Sequence, residues 1–271
     1  MFTIAAEVSG KITQLAVHDN QLVKQGDLLF EIDPERYQLA VLHAKRAVSV
    51  AQADLGQAHS AIVANEAQLK QRQSEAARRR VLKAVAAISS EDVEKAATDV
   101  LLAQADLVKV RSNLQLAEAN VALAQAAQLQ AELDLRRTEV RAPVSGYVTN
   151  LLTRQGNFAG AGTGLLALVD RNSFYISGYL EETKLSRVTV GKPVRITLMG
   201  GEQFKGRVES IAYAITDRDN SAGSQLLANI NPTYTWIKLA QRIPVRIQID
   251  PDYVRNGTLR AGMTATVKID E

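Results

Sequence analysis

The chain contains no cysteine at any of its 271 positions. This excludes a disulfide framework and a thiolate metal site, although it does not indicate a cellular compartment. Apolar runs are short, and none approaches the roughly 18–20 residues with which a helix crosses a membrane. Aromatic residues make up 5% of the chain and the net charge is only +3. The chain therefore lacks the basic character and the stacking surface that are typical of a nucleic-acid-binding protein.

Glycine and proline are almost missing from one long stretch, residues 34–138. Gly56 is its only glycine, and no proline follows Pro34. Good helix formers fill the stretch, and apolar residues recur every seven positions, mostly with alanine three positions later. This spacing is typical of a coiled-coil seam. The members are Val41, Val48, Leu55, Ile62 and Leu69 in a first run, and Val93, Val100, Leu107, Leu114 and Val121 in a second, with alanines such as Ala44, Ala51, Ala96, Ala103 and Ala117.

The two seam runs are separated by a helix-start signal. Ser89 followed by Asp92 resembles a capping box in which aspartate takes the usual place of glutamate or glutamine. We therefore predict two antiparallel helices, with arms at about 35–87 and 90–138 and a tip near residue 88. Each arm reaches roughly 75 Å at 1.5 Å per residue. The alternative, one continuous helix in a parallel fibre, explains neither the equal arm lengths nor the cap.

The segments on either side of the predicted hairpin repeat each other. Residues 8–15 recur as residues 144–151, and residues 28–33 recur as residues 165–170. Short alternating segments with Gly and Asn turns indicate β-strands. Each half is too small to bury a core alone, so the two halves must pack together. We predict one β-domain, made of residues 1–33 and 139–170, that is split by the inserted hairpin.

Residues 171–271 form a second β-region. Five or six strand-like segments and one short helix near residues 181–188 predict a small β-barrel. Residues 216–233 are polar and rich in turn formers, which indicates a long loop. The fold class predicted for the whole chain is thus α+β and elongated.

The repeated halves resemble the lipoyl/biotinyl-carrier domain, a sandwich of two quasi-symmetric halves. A lipoyl domain split by a long helical hairpin is similar to the membrane fusion proteins, the HlyD-type periplasmic adaptors. The phrases Val8-Ser9-Gly10 and Arg141-Ala142-Pro143 and the segment 20–27 carry this resemblance. Residues 181–185 and 236–242 resemble the branch that contains multidrug and aromatic-acid efflux adaptors.

The resemblance implies an adaptor without catalysis or cofactor. Its expected partners are an inner-membrane transporter, a TolC-type outer-membrane channel and further copies of itself in a ring of three or six. The expected location is the periplasm, with an inner-membrane anchor preceding Met1, and the expected cargo is small molecules or drugs. An adaptor of an ABC-type protein secretion system remains an alternative, and a purely structural coiled-coil protein is a more distant one.

The hairpin tip is the best candidate site. Arg78, Leu82 and Ser89 have the spacing Arg-x3-Leu-x6-Ser, which resembles the tip motif with which adaptors contact TolC-type channels. Arg78 and Leu82 are also i, i+4 neighbours on one helix face. The alternative interpretation is a solvated basic face with Ser89 acting only as a helix cap.

A second candidate surface lies in the barrel. Glu181, Glu182 and Trp236 are possible contacts with the transporter, although Glu181 and Glu182 also suit a solvated helix start and Trp236 also suits the barrel core. The three histidines, His18, His43 and His59, have neither metal-site spacing nor a nucleophile partner in the sequence. We therefore predict no enzymatic activity.

Overall fold

The computed structural model describes residues 1–84, 87–215, 240–250, 253–254 and 259–269. The predicted loop at 216–233 and Trp236 lie outside these residues. The described chain contains two small β-domains, one of them interrupted by a pair of very long helices. Within the described residues, no helix is long and apolar enough to span a membrane.

The first β-domain contains strands from before the first helix of the hairpin and from after the second helix. Its strands are β1 (Phe2–Ala5), β2 (Gly10–Leu15), β3 (Leu22–Val23), β4 (Leu28–Ile32), β5 (Glu139–Arg141), β6 (Gly146–Thr149), β7 (Phe158–Ala159) and β8 (Gly164–Asp170). They form two four-stranded sheets, in the orders β1-β8-β6-β3 and β5-β4-β2-β7. Each sheet contains strands from both sides of the hairpin, so neither half can form a sheet of this kind by itself.

The sequence repeat has a direct structural counterpart in strand pairing. Strand β3 of the first half pairs with β6 of the second, with Val23 opposite Gly146. Strand β7 of the second half pairs with β2 of the first, with Ala159 opposite Gly10. Ala159 and Gly146 each follow their counterparts, Val23 and Gly10, by 136 positions. The two halves therefore exchange one short strand each, which is the arrangement expected of a sandwich with two quasi-symmetric halves.

The core of this split domain lies between the two sheets. Its largest fully buried side chains are Ile12, Leu29, Phe30, Ile32 and Leu168. Because Ile12, Leu29, Phe30 and Ile32 come from before the hairpin and Leu168 from after it, one core ties both segments together. Burial of apolar surface therefore closes the domain across an insertion of about a hundred residues.

The inserted segment forms two helices, α1 (Glu35–Ala84) and α2 (Ser90–Arg136). They contain 50 and 47 residues, which corresponds to about 75 Å and about 70 Å of length. Residues 87–89 are not helical, so the predicted antiparallel hairpin is confirmed and the continuous fibre helix is not formed. The Asp33 carboxylate accepts a hydrogen bond from the Glu35 amide at 3.1 Å where α1 begins.

The second β-domain is a five-stranded sheet that almost closes into a barrel. Its strands are β9 (Tyr175–Glu181), β10 (Pro193–Leu198), β11 (Gln203–Ile211), β12 (Arg242–Ile249) and β13 (Ala265–Ile269), with a 3-10 helix at Glu182–Arg187. The order is β13-β10-β11-β12-β9, and the two edge strands approach each other. Val194, Ile196 and Leu198 alternate with outward-facing residues and point into the core.

Candidate functional site

The hairpin seam is built from the residues that repeat every seven positions. Val41, Val48, Ala103, Leu107 and Ala117 are among its buried members. Because the buried residues of both helices are mostly alanine and valine, the two backbones can approach closely. The seam therefore makes the two helices one rod.

Two ion pairs cross the hairpin and show the register of the two arms. The Arg111 guanidinium lies 3.2 Å from the Glu66 carboxylate, and the Lys45 ammonium lies 3.6 Å from Glu132. Both pairs are accessible to solvent, although Glu132 is half-buried, so each contributes little stability. Hydrogen bonding from Gln128 and the charge of Lys45 lower the pKa of Glu132 below its ordinary value. The pairs define which residues of α1 and α2 stand at the same height.

The foot of the hairpin is attached to the split domain on both arms. The Tyr37 hydroxyl donates a hydrogen bond of 2.7 Å to the carbonyl of Ser9. At the end of the other arm, the Arg137 guanidinium lies 2.5 Å from the Glu7 carboxylate. Contacts from both arms to the segment before Gly10 hold the direction in which the rod leaves the domain.

The structure places Arg78 and Leu82 in the last two turns of α1, near the tip. Both side chains are exposed, and Leu82 keeps 44% of its surface accessible. Among the described residues, Arg78 has no ion-pair partner. These two residues thus offer a cation and an apolar group to solvent at one end of the rod.

Ser89 is the N-cap residue of α2, and its side chain is hydrogen-bonded there. Its hydroxyl accepts a hydrogen bond from the Asp92 amide at 3.1 Å and lies 2.7 Å from the Asp92 carboxylate. The Ser89 amide completes the reciprocal capping box with that carboxylate, which confirms the cap predicted from the sequence. The side-chain and backbone bonds from Ser89, and the charges of Arg79 and Lys95, lower the pKa of Asp92.

The spacing of residues did not indicate the contact made by Arg79. Its guanidinium donates a hydrogen bond of 3.3 Å to the carbonyl of Asp92 on the other arm. This bond joins the two arms close to the tip. The three arginines at 78–80 therefore differ in role. Arg79 joins the two arms, whereas Arg78 and Arg80 are exposed to solvent.

The barrel candidates occupy one corner of the second β-domain. The Glu181 carboxylate, at the end of β9, forms an ion pair of 2.9 Å with Lys184, and this contact lowers the pKa of Glu181. Glu182 begins the 3-10 helix, and its amide bonds the carbonyl of Gln241 at 2.9 Å. Both acidic side chains are exposed. The predicted short helix is confirmed in position, whereas Trp236 lies outside the described residues.

Within the described part of the chain, no three His, Cys, Asp or Glu side chains cluster as a metal site would require. His43 and His59 lie on the exposed surface of α1.

Two family descriptions match the two parts of the chain. Residues 1–171 match "RND MFP, barrel-sandwich hybrid domain", and residues 173–270 match "AAEA-like beta-barrel domain". The chain belongs to the membrane fusion protein family. This confirms the resemblance carried by the split repeat and the hairpin, and it identifies the chain as a member of a family of periplasmic efflux adaptors.

Individual relatives agree with this assignment. The uncharacterized protein YdhJ of Escherichia coli (strain K12) is 39% identical over 272 residues, which cover 99% of this chain and 84% of YdhJ. MacA from Actinobacillus actinomycetemcomitans matches 98% of this chain and 73% of its own with a TM-score of 0.62 at 24% identity. The membrane fusion protein Spr0693 from Streptococcus pneumoniae R6 matches 96% and 89%, with a TM-score of 0.57 at 18% identity. The two structures support the fold.

Sequence reasoning missed a second set of apolar residues on the hairpin. These side chains point away from the seam and are exposed: Leu101, Leu102, Val108, Leu116, Leu123 and Leu129 on α2. Their spacing was visible, because Leu102, Leu116 and Leu123 differ by multiples of seven. The stronger seam pattern hid it.

Proposed function

We propose that this membrane fusion protein is the adaptor subunit of a tripartite efflux system. It would link an inner-membrane transporter to a TolC-type outer-membrane channel and support export of small molecules or drugs. The observation that carries the proposal is a rod of about 70 Å that is attached by both arms to a compact β-domain and ends in an exposed tip. A rod of this kind suits a protein that spans a distance and holds two partners in register.

The two ends of the molecule then have different partners. Arg78, Leu82 and Ser89 would contact the channel, because they lie at the end of the rod and face solvent. Glu181 and Glu182 would lie near the transporter together with Trp236. An anchor preceding Met1 would hold the protein on the inner membrane, and three or six copies would surround the conduit.

Site-specific crosslinking tests the bridging role. The chain has no native cysteine, so single cysteines at Ala84 and Ala87, both exposed beside the tip, give a clean background. In the full-length protein in native membranes, we expect both positions to crosslink to cysteines placed at the end of the channel. A cysteine at Ala47, exposed near the foot, is the matched control and should not. Absence of tip crosslinks, with the protein folded and the transporter present, would reject the proposal.

Substitutions separate channel contact from helix capping. Arg78→Ala and Leu82→Ala should lower efflux without changing the helix content. Arg80→Ala, on the same exposed turn, is the control and should leave efflux unchanged. Ser89→Asn keeps a good N-cap residue but changes the surface that is offered to a partner. Loss of efflux with an intact α2 would support a contact role for Ser89, and unchanged efflux would restrict Ser89 to capping.

A further inference from the structure

The second β-domain is more basic than the split domain. Residues 171–271 contain 14 Lys or Arg and 10 Asp or Glu, whereas the split domain contains 4 and 7. The five barrel strands hold six of these cations but only two carboxylates, Glu181 and Glu209. The Glu181 carboxylate is paired with Lys184. The Glu209 carboxylate lies 2.9 Å from the Arg246 guanidinium, so the other strand cations have no strand carboxylate left to pair with.

Four cations lie together on the outer surface of β13, β10 and β11, and we call them the basic face: Lys268, Arg195, Lys205 and Arg207. Arg195 stands directly opposite Lys268 on one side and Lys205 on the other. These three therefore form a row about 10 Å long across three strands. Arg207 lies two residues beyond Lys205 on the same surface, and all four side chains are exposed. Lys205, Arg207 and Lys268 have no ion-pair partner among the residues that the structure describes.

This row is unfavourable for the barrel by itself. Like charges that stand directly opposite each other on antiparallel strands are destabilising. The next outward-facing row on the same three strands is uncharged, with Thr197 between Thr266 and Gln203. Neutral side chains therefore suit this surface. A negatively charged ligand would remove the repulsion among the cations.

A shallow groove of about 350 Å³ opens beside the row. Lys205 and Arg207 line it together with residues of β12, and Asp250 is the one carboxylate among its described lining residues. Glu202, in the turn before β11, accepts a hydrogen bond of 2.5 Å from the Tyr253 hydroxyl. The groove has room for a phosphate group, which Lys and Arg bind through charge-assisted hydrogen bonds.

Two exposed methionines stand at one end of the same strands. Met199 follows β10 and exposes 89% of its surface, and Met263 precedes β13 and exposes 48%. The Met199 amide donates a hydrogen bond of 3.2 Å to the carbonyl of Thr264, so the two turns adjoin. Because Met199 follows Arg195 by four residues, the methionines lie about 13 Å beyond the row of cations. This side of the barrel thus offers an apolar edge with a band of cations behind it.

We propose that this side of the barrel contacts the surface of an anionic phospholipid membrane. The basic face binds the lipid phosphates, and Met199 and Met263 lie among the headgroups. Cations near an anionic leaflet are attracted to it, and long basic side chains can follow apolar surface to reach the phosphates.

The shape of the surface favours lipid over other anions. The cations form an exposed row and do not converge on one point, as binding of a single phosphate ion would require. The apolar edge beside the row suits the headgroup layer, in which apolar side chains and cations are bound at different depths. The contact rests on the proposed function in one respect, because an adaptor held at the inner membrane has such a surface within reach.

Vesicle flotation measures this contact directly. The 271-residue chain, in which no described helix could span a membrane, is mixed with vesicles of phosphatidylcholine alone or of equal parts phosphatidylcholine and phosphatidylglycerol. We expect binding to the anionic vesicles only. This binding should be lost as salt shortens the Debye length from about 10 Å at about 0.1 M to about 3 Å at about 1 M. Binding to neither kind of vesicle would overturn the proposal and leave the basic face to an acidic protein, and equal binding to both would overturn it as well.

Two matched double variants test the position of the charge. Lys205→Gln with Lys268→Gln removes two cations of the basic face. Lys70→Gln with Lys109→Gln removes two exposed lysines of the hairpin and changes the net charge equally. The barrel variant should bind anionic vesicles roughly tenfold or more weakly, because each lost cation reduces the attraction, whereas the hairpin variant should bind like the natural chain. Equal binding by the two variants would overturn the proposal.

The stability of the barrel variant separates lost binding from misfolding. Its substitutions remove the like charges that face Arg195 on both sides. We therefore expect it to unfold at an equal or higher temperature than the natural chain. Weaker binding together with unchanged or greater stability is the result that the lipid contact requires.

Fluorescent labelling maps the side of the barrel that meets the vesicle. The chain has no native cysteine, so Met199→Cys and Val81→Cys, at exposed positions of the barrel turn and the hairpin tip, can each carry an environment-sensitive dye. On anionic vesicles we expect a blue shift of emission at position 199 and none at position 81. Bound vesicles without a shift at position 199 would overturn the proposal.

The result is distinguishable from failure of the adaptor role. Vesicle binding reports contact with lipid, whereas crosslinks from Ala84 and Ala87 report contact with the channel. Charge-dependent vesicle binding without tip crosslinks would reject the tripartite function and keep the lipid contact. Tip crosslinks without vesicle binding would keep the adaptor role and reject the lipid contact.

Discussion

Gly10 and Gly146 occupy equivalent positions of the two halves, and both allow a close approach of the opposing strand. A Cβ at Gly10 would lie 2.6 Å from the Ile32 side chain, and a Cβ at Gly146 would lie 2.2 Å from the carbonyl oxygen of Val169. A side chain can rotate or shift more easily than backbone within a sheet. Both halves therefore have a close strand approach at this glycine. A side chain is tolerated less well at Gly146, where it would meet backbone, than at Gly10, where it would meet a side chain.

We predict that Gly146→Ala destabilises the split domain more than Gly10→Ala. Overpacking of this kind costs about 1–3 kcal/mol, and the backbone contact at Gly146 should place it at the upper end. Urea unfolding of the two variants measures the difference. Gly26→Ala is a control of another type, since it has open space but a φ of 90°. Equal stability of Gly10→Ala and Gly146→Ala would contradict the prediction.

The lowered pKa of Asp92 predicts that the stability of the first turn of α2 depends on pH. This pKa is lowered from the ordinary value of 3.8, chiefly by the hydrogen bond from Ser89. A carboxylate whose pKa is lower in the folded state stabilises that state fully above the unfolded-state pKa and loses the contribution as the pH falls through the folded-state pKa. The first turn of α2 should therefore loosen below pH 3.8.

Helical NMR shifts of residues 90–94, followed from about pH 7 to about pH 2, test this dependence. Asp92→Asn should resemble the acid state at every pH, so the difference between the two proteins should vanish in acid. Glu91→Gln, the neighbouring acid in the first turn, should retain the transition. A transition that persists in Asp92→Asn would show that another group controls the turn.

At the scale of elements, the seam requires alanine where the two helices come closest. We predict that Ala103→Leu, at a buried seam position, lowers the free energy of unfolding of the hairpin by about 1–3 kcal/mol, because the larger side chain overfills the seam. Ala105→Leu, two residues further on and exposed, should leave the stability of a single copy nearly unchanged. Circular dichroism of the helices during heating distinguishes the two. Equal effects would mean that the seam does not limit the approach of the arms.

The elements that periodicity could predict were those whose burial repeats. The seam residues Val41 and Leu107 and the strand residues Ile12 and Leu168 recur in patterns because each pattern follows the buried side of its element. The exchange strands β3 and β7 have only two residues each, too few for any period to appear. Only the repeat indicates that β3 and β7 are corresponding strands of the two halves.

The candidate site was predictable to a different degree. The Ser89 cap has a local signature and was predicted, because the capping box joins residues three positions apart. The Arg79 bond to Asp92 joins two arms, and no spacing in the sequence gives the distance between them. The exposed apolar residues of α2, such as Leu116 and Leu123, were hidden by the stronger seam pattern, because an exposed apolar residue adds nothing to the periodicity of burial.

At the scale of the whole molecule, the proposed function makes the length of the rod a functional quantity. Removing residues 69–75 together with residues 102–108 deletes one heptad from each arm at the same height. The Glu66–Arg111 and Lys45–Glu132 pairs, the foot and the tip all remain, and the seam stays in phase. The rod becomes about 10 Å shorter.

We predict that this paired deletion folds with a continuous hairpin but no longer supports efflux, because the tip cannot reach the channel while the body stays at the transporter. Circular dichroism and tip crosslinking from Ala84 measure the two properties separately. Deleting residues 69–75 alone is the control, since it leaves the arms unequal and should destabilise the tip itself. Full efflux from the shortened, folded rod would mean that its length does not set the distance between the partners, and the bridging role would then have to be abandoned.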